Sequence, residues 1–129
     1  ALPVVGSDTG DYLVRNIVGV DPEHKLLAIG DRVDTGDSIL FCQRDRISAE
    51  EDLIRMLRDL KKRSAGSIPR GAVYFSCLGR GRHTFGKNSD EMRIIQHELG
   101  DLPLVGFFAN GEIGYRRLYS YTGVLTLFF

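Results

Sequence analysis

The chain has no tryptophan, only two cysteines in 129 residues, and no excess of charge of either sign. Seventeen Lys and Arg residues balance seventeen Asp and Glu. A neutral chain has no sequence-independent attraction to a phosphate backbone, which argues against a dedicated nucleic-acid module. Its arginines, among them Arg63, Arg70, Arg80, Arg82, Arg116 and Arg117, are scattered rather than gathered into a basic tract. No apolar run approaches the ~20 residues of a membrane-spanning helix, and no signal-peptide pattern is visible. Cys42 and Cys77 both sit in apolar, strand-like runs, so buried, reduced thiols of a cytoplasmic protein are expected rather than a disulfide. His24, His83 and His97 show no metal-ligand spacing with each other or with the cysteines, so neither a metal nor another cofactor is expected.

What is present is ordinary globular material, 43% hydrophobic and 26% charged, enough for the core of one domain. Tyr12 to Val20 reads as a strand. Asp21-Pro22-Glu23 turns it into a second strand, His24 to Ile29, because Pro22 presets the turn and Asp21 can bond the backbone. Asp34-Thr35-Gly36-Asp37 is the next turn and leads into a third strand, Ser38 to Gln43. Ser48 and Glu51 form a capping box for a helix running to Arg63, with Glu50, Glu51 and Asp52 in its first turn. Leu53, Ile54, Leu57 and Leu60 make its apolar stripe; Lys61, Lys62 and Arg63 favour its C-terminal end, and Gly66 stops it. Ala72 to Leu78 is an apolar strand covered on both faces. A second helix begins near Ser89, turns Met92, Ile95 and Leu99 inward and ends at Gly100. Leu104 to Ala109 and Thr122 to Phe129 are the last strands. The fold class is therefore α+β, a single domain with a mixed β-sheet and two crossover helices in the order β-β-β-α-β-α-β-β. Parallel crossovers would bring the loops after Gln43, Leu78 and Ala109 to one edge of the sheet.

Two glycine-framed turns close the central strands. In Ser76-Cys77-Leu78-Gly79-Arg80-Gly81, backbone N–H groups and the Arg80 guanidinium can grip an anion; the same residues also read as a tight surface turn with a solvated arginine. In Asn110-Gly111-Glu112-Ile113-Gly114, Glu112 can face an ammonium group or act as an acid or base, while Asn-Gly equally suits a plain hairpin. Together Gly79, Arg80, Gly81, Asn110, Gly111 and Glu112 suit a small zwitterion. The glycine spacing makes neither a dinucleotide fingerprint nor a P-loop. Cys77 can be a nucleophile with His83 as its base, or an inert buried thiol.

The same two turns carry a family resemblance. Ser76 to Gly81 with Phe85-Gly86, and Leu104 to Gly114, resemble the C-terminal domain of FIST (F-box and intracellular signal transduction) proteins. Leu13 to Asp21, Gly36-Asp37 and Tyr121 to Leu125 fit as well, so the likeness runs from about Tyr12 to the last residue. It implies a cytoplasmic sensory domain that binds a small, amino-acid-like ligand and signals through attached modules. It also implies that residues 1–129 are a FIST C-terminal-like part of a longer two-domain protein, with a FIST N-terminal domain and a signalling output module as partners and with neither nucleic acid nor membrane among them. Two other functions fit the chain: a protein-interaction module of a larger signalling or F-box-type protein, and an enzyme using Cys77.

Overall fold

The computed structural model describes residues 1–5, 10–88, 90–114 and 116–129. They form two compact units, Ala1–Gln43 and Arg44–Phe129. The architecture is α+β, as the strand and helix patterns imply.

In the first unit β1 (Leu2–Pro3) pairs antiparallel with β2 (Tyr12–Leu13), and β3 (Ile17–Asp21) with β4 (Leu26–Ile29). The Asp21 carboxylate accepts the His24 N–H at 3.0 Å and closes the β3–β4 hairpin at the expected turn. The expected strand Tyr12 to Val20 is interrupted after Leu13. Within the break the Arg15 side chain turns to Asp31 at 2.7 Å, and the Asn16 carbonyl accepts from the Gly30 N–H. The expected strand Ser38 to Gln43 does not form. Its Leu40 exchanges backbone hydrogen bonds with Ala1, a single pairing rather than a ladder among the described residues. Cys42 is exposed rather than buried, because the run that carries it lies in no sheet.

The second unit begins with α1 (Arg46–Arg63). Its N-cap is Asp45, not Ser48: the Asp45 carboxylate accepts both the Ser48 N–H and the Ser48 hydroxyl at 2.9 Å. The helix therefore starts earlier than the capping box suggested, and Glu50, Glu51 and Asp52 fall beyond its first turn. Leu53 and Leu57 are buried, while Leu60 is half-buried. After β5 (Gly71–Cys77) comes a 3-10 turn, Leu78–Arg80, and a short helix α2 (Arg82–Phe85) that periodicity does not reveal. The helix α3 spans Asp90–Leu99; its expected start, Ser89, lies outside the described residues. Then follow β6 (Leu104–Ala109), the hairpin β7 (Glu112–Gly114) and β8 (Arg117–Tyr119), and β9 (Gly123–Phe128).

A three-stranded mixed sheet has the order β6-β5-β9, with β5 parallel to β6 and antiparallel to β9. With no strand at Ser38 to Gln43, the described chain makes one parallel crossover, β5–α3–β6, rather than two. The core lies on one face, where Tyr74 of β5 meets Leu53 and Leu57 of α1, Phe85 of α2 and Ile95 of α3. Alternation along the strands puts Val73, Phe75, Val105, Phe107, Val124 and Phe128 on the other face. Val105, Phe107 and Phe128 stand exposed there, Phe107 at 64%. The central strand is thus covered by helices on one face, not two, and β6 is an edge strand rather than a buried one. Phe75 and Phe107 meet edge to face on the open side, 4.9 Å between ring centroids.

Candidate functional site

Parallel pairing fixes the site's location. Cys77 is in register with Ala109, so the segments that leave β5 and β6 emerge at the same edge of the sheet. Gly79, Arg80 and Gly81 follow one strand; Asn110, Gly111 and Glu112 follow the other. Open sheets bind ligands at such strand ends. Asn110 and Gly111 do not form a hairpin between β6 and β7, because β7 pairs with β8, placing Glu112 opposite Tyr119. Gly111 has φ +123°, a conformation that favours glycine.

Arg80 is not a solvated surface residue. Its side chain is 15% exposed, and its Nε donates to Glu91 Oε1 at 2.8 Å. Glu91, 4% exposed, also accepts from the Tyr74 hydroxyl at 2.6 Å and from Ser76 Oγ at 2.8 Å. The guanidinium further lies over the Phe85 ring, 5.0 Å from its centroid. Burial works against the Arg80 charge, but Tyr74 and Glu91 outweigh it and leave the pKa raised. The Tyr74 hydroxyl is pushed up too, first by burial and then, against the pull of Arg80, by Glu91. This network was invisible as local spacing because Tyr74, Ser76, Arg80 and Glu91 come from three elements. One signal for Glu91 was there: it lies four residues before the inward-facing Ile95 and so shares its helix face.

Glu112 is the opposite case. It is 1% exposed, one of the most deeply buried side chains, and its Oε1 accepts the Gly111 N–H at 3.3 Å. Its Oε2 has no hydrogen-bond partner among the described residues. A buried oxygen without a partner costs about 1–3 kcal/mol, more if it is charged. An ionised Oε2 needs a donor and a protonated one needs an acceptor; either way a group is wanted beside it. Asn110, the adjoining amide, is exposed.

Gly79 has a separate role. A Cβ there would lie 2.7 Å from the Tyr121 ring and 3.3 Å from Arg44 Nη1, so the glycine makes room for an aromatic ring. Gly81 packs near Phe108, whose ring would lie 3.3 Å from an added Cβ. Cys77 is buried at 5% exposure, as its apolar strand implies, whereas His83 of α2 is exposed. No helix among the described residues is long and apolar enough to cross a membrane. No group of three or more His, Cys, Asp and Glu side chains among the described residues could hold a metal ion.

The model of the FIST C domain matches residues 1–115. An uncharacterized protein of Mycobacterium tuberculosis is 37% identical over 126 residues, which cover 92% of this chain and 32% of that protein. An uncharacterized protein of Mycobacterium bovis is 36% identical over the same shares. The chain thus spans about a third of the length of these curated relatives. The search of solved structures returned no match.

Proposed function

This chain belongs to the FIST C domain family, which is associated with signal transduction, and on that premise we propose that it is a small-ligand-binding sensory domain of a cytoplasmic signalling protein. The ligand is a small zwitterion of amino-acid type. The observation that carries this reading is the buried, half-satisfied carboxylate of Glu112 at the C-terminal edge of parallel strands. An ammonium group supplies three donors to such an oxygen and neutralises its charge. Gly79 and Gly81 admit the Tyr121 and Phe108 rings at this edge, Gly111 supplies the positive φ before Glu112, and Asn110 offers a neutral donor and acceptor at the rim. Arg80 serves this site through Glu91 and Phe85, with its Nη groups as the remaining donors. Binding is relayed to a FIST N-terminal domain and an output module carried by a longer polypeptide.

Calorimetry of free amino acids against the full-length protein tests the reading. At least one amino acid should bind, and Glu112→Gln should weaken it roughly 10- to 100-fold, the worth of a charge-assisted hydrogen bond. Undiminished binding by the variant, or no binding by the wild type, refutes it.

A second reading has an observation of its own. The open apolar face of the three-stranded sheet suits a protein-interaction module of a larger signalling protein. In that case no amino acid raises the melting temperature, and the face rather than the strand-end edge governs function. The Cys77 enzyme draws less support, since a nucleophile must be reached and Cys77 is buried away from an exposed His83.

A further inference from the structure

With the Arg80 Nε committed to Glu91, a second arginine at the same edge is better placed to meet a ligand's carboxylate. The Arg44 guanidinium carbon lies 4.0 Å from the centroid of the Tyr121 ring. That ring is itself seated on Gly79, where even one methyl group would collide with it. Tyr121 holds φ at +61°, a left-handed conformation that an aromatic residue adopts only when its surroundings enforce it. The backbone on either side is anchored at the site: Tyr119 is the register partner of Glu112, and the Thr122 carbonyl accepts the Cys77 N–H at 2.9 Å. Arg44 is exposed, and stacking on Tyr121 is its one polar interaction among the described residues. Stacking occupies the face of a guanidinium and leaves its five N–H donors in the plane, the geometry that matches two carboxylate oxygens.

We infer that Arg44, held on the Tyr121–Gly79 platform, is the carboxylate-binding residue of the site, and that Glu112 takes the ligand's ammonium. The inference rests on the ligand reading above and reassigns the anionic half of the ligand from Arg80 to Arg44. It shares with that reading the deeply buried Glu112 Oε2, which lacks a partner among the described residues at the same strand ends, and adds to it the Arg44–Tyr121 stack.

The test uses calorimetry on the full-length protein with two probes: a free amino acid from the panel that binds, and the amine that lacks its carboxylate. Arg44→Gln should weaken the amino acid roughly 30-fold and leave the amine unchanged, because only the first presents a carboxylate. Arg44→Lys should recover part of the loss, since an ammonium cannot match both oxygens. Amino-acid binding by Arg44→Gln equal to wild type overturns this inference and spares the ligand reading. Equal loss of amino acid and amine also overturns it, because Arg44 would then act on the platform's structure. Absence of amino-acid binding by the wild type overturns both.

Discussion

At the scale of single residues, the Arg80–Glu91 pair sets the largest expected effects. Removing one partner of a buried ion pair leaves the other uncompensated, so Arg80→Ala should cost about 3–5 kcal/mol of stability in chemical denaturation. One reading of the sequence was a tight surface turn with a solvated arginine; the 15% exposure of its side chain rules that reading out. Tyr74→Phe deletes one hydrogen bond to the charged Glu91 and should cost about 1.5–3 kcal/mol. Tyr74 also predicts a pH dependence. Its folded pKa is raised above the ordinary value near 10, so the folded state keeps a proton that the unfolded state has lost. That contribution is complete below pH ~10 and is lost as pH rises past it. Denaturation midpoints measured from pH 8 to 11 should fall less steeply for Tyr74→Phe than for the wild type. The two thiols should separate cleanly under alkylation of the native protein, with Cys42 modified fast and Cys77 protected.

At the scale of elements, the helix caps and the strand glycines are the points of sensitivity. Asp45→Ala removes the acceptor for the Ser48 N–H, so amide exchange should accelerate at Ser48 and its neighbours while the rest of α1 stays protected. Ser48→Ala, which the capping-box pattern singles out, should do much less, because Ser48 donates to the cap rather than forming it. Gly106 lies where β6 passes β5, and an added Cβ would overlap the Tyr74 carbonyl oxygen. Backbone cannot yield as a side chain can, so Gly106→Ala should cost about 1–3 kcal/mol or more in denaturant titration. Gly79 faces a ring instead, and Gly79→Ala should displace Tyr121 and with it the Arg44 stack.

At the scale of the molecule, the second unit has a sheet covered by helices on one face and apolar on the other. An edge strand as apolar as β6 beside such a face is an association liability. Phe107→Glu should therefore reduce binding of a hydrophobic dye and self-association, with little loss of stability, because Phe107 is mostly exposed already. If the interaction-module reading holds, the same substitution also abolishes signalling while amino-acid titrations remain flat.

The sequence by itself determined the α+β class, the Asp21-Pro22 hairpin, the helices at their C-terminal ends and the pair of strands that carry the candidate site. Each of these depends on neighbours within a few residues: a proline-set turn, a repeated apolar stripe, a cationic last turn. It also pointed to the two glycine turns sharing one edge, on the condition of a parallel helical crossover, and the β5–β6 pairing meets that condition. Tertiary structure decided the rest. Ser38 to Gln43 is apolar enough for a strand, but strands exist only where a partner completes their ladder, and among the described residues this run pairs with Ala1 at Leu40 alone. Arg80 and Glu112 look alike in sequence, charged residues among glycines; packing gave one a buried network of three elements and left the other with an oxygen unanswered among the described residues. Burial and partnership are long-range properties, and no local spacing encodes them.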